Sequence, residues 1–171
     1  MMEAAAPELH RMIDATRFDG KPIAIEADEA ERAALARRFG LVSIASLSAK
    51  VELTPDGEAV LANGTLKASI VQSCAISGED LPVKIEESLA LRFVPERNAA
   101  TEEEIELTEA ELDEIPFAGR SFDLGEAVAQ TLALAIDPYA IGPQAADARA
   151  SGHISDEAAS GPFAALAKLR K

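Results

Sequence analysis

The sequence has no tryptophan, one tyrosine and one cysteine, and aromatic residues make up only 4% of it. A lone cysteine, Cys74, allows no internal disulfide and no multi-thiolate metal site. Scarce aromatics leave the core to Leu, Ile, Val and six Phe. Cations are also few: 16 Lys and Arg stand against 30 Asp and Glu, giving a net charge of -14 and a pI near 4.5. Such a chain repels polyanions at long range, which argues against strong non-specific nucleic-acid binding and against adsorption to anionic membranes. A basic protein partner fits the overall charge more easily, and any RNA contact has to be local. No run approaches the roughly eighteen apolar residues of a membrane span. Met1 to His10 has neither a basic start nor an apolar stretch, so no signal peptide is expected and the expected location is the cytoplasm.

What is present suffices for one domain. A chain of 171 residues and 18.0 kDa, 48% apolar, buries roughly two-thirds of its unfolded surface without staples. Residues 8–27 alternate as strands through Leu9, Arg11, Ile13, Ile23 and Ile25, broken at Asp19-Gly20. Asp28 with Glu31 three residues on marks a capping box, and a helix over 28–39 ends at Gly40 with Arg37 and Arg38 in its last turn. Strand character returns over 41–54, with turns expected at Pro55-Asp56-Gly57 and Asn63-Gly64. Leu66, Ala68, Ile70, Gln72, Cys74 and Ile76 then share one face at period two. Val83, Ile85, Leu89, Leu91 and Phe93 do so on the returning strand, which predicts a long hairpin over 58–94. Residues 95–121 read as an acidic, loop-rich stretch. A second helix runs over 123–136, capped by Asp123 with Glu126 three residues on, and is stopped by Asp137-Pro138. Residues 139–160 read as a flexible linker, and 161–171 as an amphipathic tail bearing Phe163, Leu166 and Leu169.

The expected fold is therefore α+β in a single domain over 1–138. An antiparallel sheet is built around the hairpin, with further strands from 8–27 and 41–54, and two helices cover its apolar face.

Chemistry-bearing residues are sparse. A reactive thiol wants a cation, a His or a helix N-terminus nearby. Cys74 sits mid-strand on an apolar face, with His10 and His153 distant in sequence, and reads as a buried structural cysteine. Two histidines make no metal site without further ligands at known spacing. Gly119 and Gly125 are too isolated for a nucleotide-binding loop. Two basic groups are candidate RNA contacts: Arg37 with Arg38, and Lys168, Arg170 and Lys171. Each has the alternative reading of cations at a helix C-terminus. Glu102, Glu103, Glu104 and Glu106 form a solvated acidic run, and with Phe163 and Leu166 they are candidate protein contacts.

Three ordered segments carry a family resemblance. Leu61-Ala62-Asn63-Gly64-Thr65-Leu66-Lys67-Ala68 leads into Val71-Gln72-Ser73-Cys74; Phe122-Asp123-Leu124-Gly125-Glu126-Ala127-Val128 leads to Asp137-Pro138; the end is Gly161-Pro162-Phe163-Ala164-Ala165-Leu166-Ala167-Lys168-Leu169. Over roughly residues 20–171 the sequence resembles the bacterial YceD family, the large ribosomal RNA subunit accumulation proteins. The resemblance implies a role in synthesis, processing or stability of large-subunit (23S) rRNA, as a non-enzymatic factor with no catalytic residues to carry over. Many members have Cys-x-x-Cys where this chain has Cys74-Ala75-Ile76-Ser77, and often a further cysteine where it has Gln144 to Asp147. With Ser77 in place of the second thiol, no zinc is expected here, and no other cofactor or small-molecule substrate. The implied partner is large-subunit rRNA or a ribosome-assembly protein. The alternative is an acidic adaptor that holds a basic ribosomal protein or a nuclease through residues 102–114 and reaches rRNA only indirectly.

Overall fold

The computed structural model describes residues 8–96 and 114–151. Its elements in chain order are β1 (Met12–Asp14), β2 (Ile23–Glu26), α1 (Glu29–Phe39), β3 (Ser43–Asp56), β4 (Ala59–Ser73), β5 (Asp80–Pro95), β6 (Glu114–Phe117), β7 (Ser121–Asp123), α2 (Leu124–Ala135) and α3 (Ala145–Ala150). Together they make a single-domain α+β fold.

The main sheet runs in the order β2-β3-β4-β5-β6, and β1 pairs with β7 in a separate two-stranded ribbon. The long hairpin is β4 and β5, in unbroken register from Val60 opposite Phe93 to Ser73 opposite Asp80. The sheet departs from the expected all-antiparallel form at its edge. β6 runs parallel to β5, with Arg92 opposite Glu114 and Pro95 opposite Phe117. A parallel neighbour needs a crossover of about a dozen residues or more, and the chain between Pro95 and Glu114 is long enough. β6 therefore arises in a stretch expected to be loop, and Pro116 suits it to an edge. Because β6 is short, no described strand covers the outer edge of β5 between Asp80 and Leu91.

Asn63-Gly64 is not a turn. Both residues lie inside β4, opposite Glu52 and Val51 of β3. The turn is made instead by Gly57, whose φ of 64° lies in the left-handed region. Gly64 serves the sheet by lacking a side chain, because a β-carbon there would overlap the Lys50 carbonyl oxygen.

Alternation sorts the sheet into two faces. Leu47, Ala49, Val51 and Leu53 of β3, Ala62, Leu66, Ala68 and Ile70 of β4, and Ile85, Leu89 and Phe93 of β5 are buried. They share one core with Leu35 of α1 and with Leu124, Val128 and Leu132 of α2. α1 packs against β3 and α2 against β5. Phe93 stacks on Phe122 at 4.0 Å between ring centroids, fixing the start of α2 over the sheet.

Both helix starts are capped, differently. At α1 the capping box is complete: Glu31 N–H donates to Asp28 Oδ1 at 2.8 Å, and Asp28 N–H donates to Glu31 Oε2 at 2.9 Å. At α2, Asp123 Oδ1 accepts from the N–H groups of Gly125 and Glu126. The Glu126 carboxylate does not return to the cap; it is bound to Arg38. Residues 139–151, expected to open a linker, instead carry α3 and fold against the hairpin. Ala75 N–H donates to the Ala140 carbonyl at 3.0 Å, and Ala145 is buried.

Two glycines are fixed by close backbone approach. A β-carbon at Gly125 would overlap the Leu9 carbonyl oxygen, as one at Gly64 would overlap that of Lys50. Gly64→Ala and Gly125→Ala are each expected to destabilise the protein by about 1–3 kcal/mol, the range for overpacking. Urea denaturation checks this, and midpoints unchanged from wild type would contradict it.

Candidate functional site

The start of α2 is a structural clamp. Backbone N–H of Arg11 donates to Asp123 Oδ1 at 2.9 Å, and Leu124 N–H donates to the Arg11 carbonyl at 3.0 Å. His10 Nδ1 lies 2.6 Å from Asp123 Oδ2. The Arg11 guanidinium forks onto the two Glu31 oxygens at 2.7 and 3.1 Å and reaches the Glu26 carbonyl at 3.0 Å. One arginine thus bridges the capping groups of both helices. Its hydrogen bond holds the Glu31 carboxyl below the usual range.

The two arginines proposed to meet RNA part company. Arg38 donates to Glu126 at 2.7 and 2.9 Å and to Glu8 at 2.9 Å, so its guanidinium is already engaged by two carboxylates. The bond to Glu126 chiefly raises the Arg38 pKa above its usual value, and Arg38 in turn lowers that of Glu126. Arg37, one position before, is exposed. Lys168, Arg170 and Lys171, and likewise Glu102, Glu103, Glu104, Glu106, Phe163 and Leu166, lie outside the described residues.

Cys74, expected mid-strand, instead lies one residue past the end of β4, where the chain turns towards β5, and is 4% exposed. Its sulfur accepts N–H groups from Gly142 at 3.2 Å and Ser77 at 3.4 Å. Nearby, Gln72 Nε2 donates to the Asp137 carbonyl at 2.7 Å, so the chain after α2 is fastened to the strand at two points. Burial alone would push the thiol up. The Ser77 hydroxyl and the N–H groups of Ser77, Gly142 and Ile76 outweigh it and lower the thiol to about 6. The positions that could hold a metal here offer one thiol, the Ser77 hydroxyl and the segment at Gln144. No group of three His, Cys, Asp or Glu side chains is assembled among the described residues. That donor set does not fit zinc.

Sequence reasoning missed the face that no described helix covers. Strand register builds rows across it: Ser46, Ser69 and Lys84; Ser48, Lys67 and Glu86; Lys50, Thr65 and Ser88. These rows hold three lysines, one carboxylate and no apolar side chain. Lys67 and Lys84 were visible as the polar members of the period-two pattern. Lys50 joins them only once the β3–β4 register is known. Lys67 pairs with Glu86 at 3.0 Å, with both side chains more than 60% exposed (63% and 67%).

A thiol whose pKa is lowered on folding from 9.0 to about 6 adds stability that is complete above pH 9 and is lost as pH falls through 6. Urea midpoints of wild type and Cys74→Ala, compared from pH 5 to 9, are expected to diverge in favour of wild type as pH rises. A constant difference would contradict the assigned donors.

The described residues contain no helix long and apolar enough to cross a membrane. No curated protein matches the chain, and no solved structure does. One family model does match: Large ribosomal RNA subunit accumulation protein YceD, over residues 62–170. Those residues hold most of the long hairpin, the α2 side of the clamp with Phe122, Asp123 and Gly125, and the Cys74 turn. The match covers well over half of the sequence, and the chain belongs to the YceD family.

Proposed function

We propose that this protein is a non-enzymatic factor that supports the synthesis, processing or stability of large-subunit rRNA during ribosome biogenesis, in the cytoplasm. The observation that carries the reading is the family match over residues 62–170, whose description names large-subunit rRNA accumulation. The geometry supports a binding role. The best-formed polar cluster, Arg11, Glu31, Asp123, Arg38 and Glu126, is spent on joining secondary-structure elements to one another. Within the arginine pair, Arg37 is the member offered to RNA, together with Lys168, Arg170 and Lys171 of the tail. In cells depleted of the protein, the ratio of large- to small-subunit rRNA is expected to fall and to recover on re-expression. An unchanged ratio would remove the proposal.

The net charge of -14 favours a second reading, an adaptor that holds a basic ribosomal protein or a nuclease. Glu102, Glu103, Glu104 and Glu106, with Phe163 and Leu166, are its proposed contacts. Converting the four glutamates to glutamine would then abolish co-purification of a basic protein, whereas undiminished recovery counts against this reading.

A further inference from the structure

We propose that the open face of β3, β4 and β5 docks on the sugar–phosphate backbone of double-helical RNA, with Lys50, Lys67 and Lys84 on phosphates. This rests on the rRNA reading above and adds to it a second surface, on the side of the sheet away from α1 and Arg37, and the form of the RNA.

Three observations converge. The first is charge. Arg11, Arg38, Arg92 and Arg120 are each held by a carboxylate. Lys50 and Lys84 have no ion pair among the described residues. The Lys67 pair with Glu86 is so exposed that a phosphate can replace its partner at little cost. The other described cations outside the ion pairs lie elsewhere: Arg17 follows β1, Arg32 and Arg37 stand on α1 with Arg32 donating to the Ala27 carbonyl, and Arg149 is on α3. Among the described residues, this face brings together three lysines from three strands in a strongly acidic chain.

The second is spacing. Lys50 is opposite Thr65, two residues before Lys67; Lys67 is opposite Glu86, two residues after Lys84. The lysines are diagonal neighbours across three strands, each step roughly 7–8 Å, so they track a line rather than a cluster. Glu26, opposite Ser48, and Glu52, opposite Asn63, border that line.

The third is what fills the gaps. Ser46, Ser48, Thr65, Ser69 and Ser88 present hydroxyls, and no aromatic stands among them. Single strands are held largely by stacking on aromatic rings. A-form duplexes are read through phosphates and 2′-hydroxyls, which serine, threonine and lysine can contact. Lysine, a point charge, imposes no base geometry.

The test measures binding of the full chain to an RNA duplex of about 16 base pairs, to one strand of it alone, and to poly-glutamate as competitor. Lys50→Gln/Lys67→Gln/Lys84→Gln is compared with the triple Lys→Arg variant, and thermal melting checks that both fold. Wild type is expected to prefer the duplex, with a log–log salt slope of about -2.7 for three phosphates. The glutamine variant should lose about tenfold or more in affinity, and the arginine variant should retain it. Equal duplex binding by the glutamine variant, preference for the single strand, or equal displacement by poly-glutamate would each overturn the proposal. Complementation separates the two claims. A glutamine variant that restores rRNA levels fully sinks the surface and leaves the rRNA reading intact. A wild-type chain that restores nothing sinks the rRNA reading, and duplex binding still decides the surface.

Discussion

The fold depends on one crossing, where residues 9–11 pass over the start of α2. Arg11 gives its N–H to the Asp123 cap and takes the N–H of Leu124, and its guanidinium reaches the Glu31 carboxylate at the other helix. Gly125 makes room for the passing backbone. More than a hundred residues separate the two sides of this contact, a non-local closure of the kind that is costly in chain entropy before it is rewarded. Once made, it sets both helices on the same side of the sheet. No described helix lies on the opposite side, since α1 and α2 are both engaged here.

The family match takes on a physical meaning against this crossing. Phe122 stacks on Phe93, Asp123 caps, Leu124 is buried, Gly125 yields space and Glu126 binds Arg38. Each residue of the motif has a packing or capping duty. The motif therefore reports a shared architecture, and chemistry need not follow from it. The matched region starts inside β4, so Arg11, Glu31 and Arg38, the other half of the clamp, lie outside it.

Elements governed by local rules were legible in the sequence. Asp28, Glu31 and Gly40 bound α1, and period-two patterning assigned the buried faces of the hairpin. What escaped depended on partners far away. Asn63-Gly64 has turn chemistry, yet the ladder on both sides holds it extended, and the glycine answers to Lys50 on the neighbouring strand. Strand β6 exists because β5 offers it an edge. Arg38 looked like a free cation at a helix end until Glu8 and Glu126 arrived from elsewhere in the chain. The three lysines lie 17 residues apart in sequence, and only pairing register reveals them as neighbours.

The shortness of β6 has a consequence for how copies of the molecule meet. From Asp80 to Leu91 the outer rim of β5 lacks a described neighbour, which makes it a template for adding foreign chain. The sequence guards that rim with Pro82, which has no N–H to offer, and with Lys84, Glu86 and Glu87 along the same stretch. Two such rims paired parallel and in register would set proline and charge against their like. The same charged residues that give the strand its polar side thus discourage edge-to-edge polymerisation, and a sheet built on an unusually long hairpin is protected from growing into a fibre.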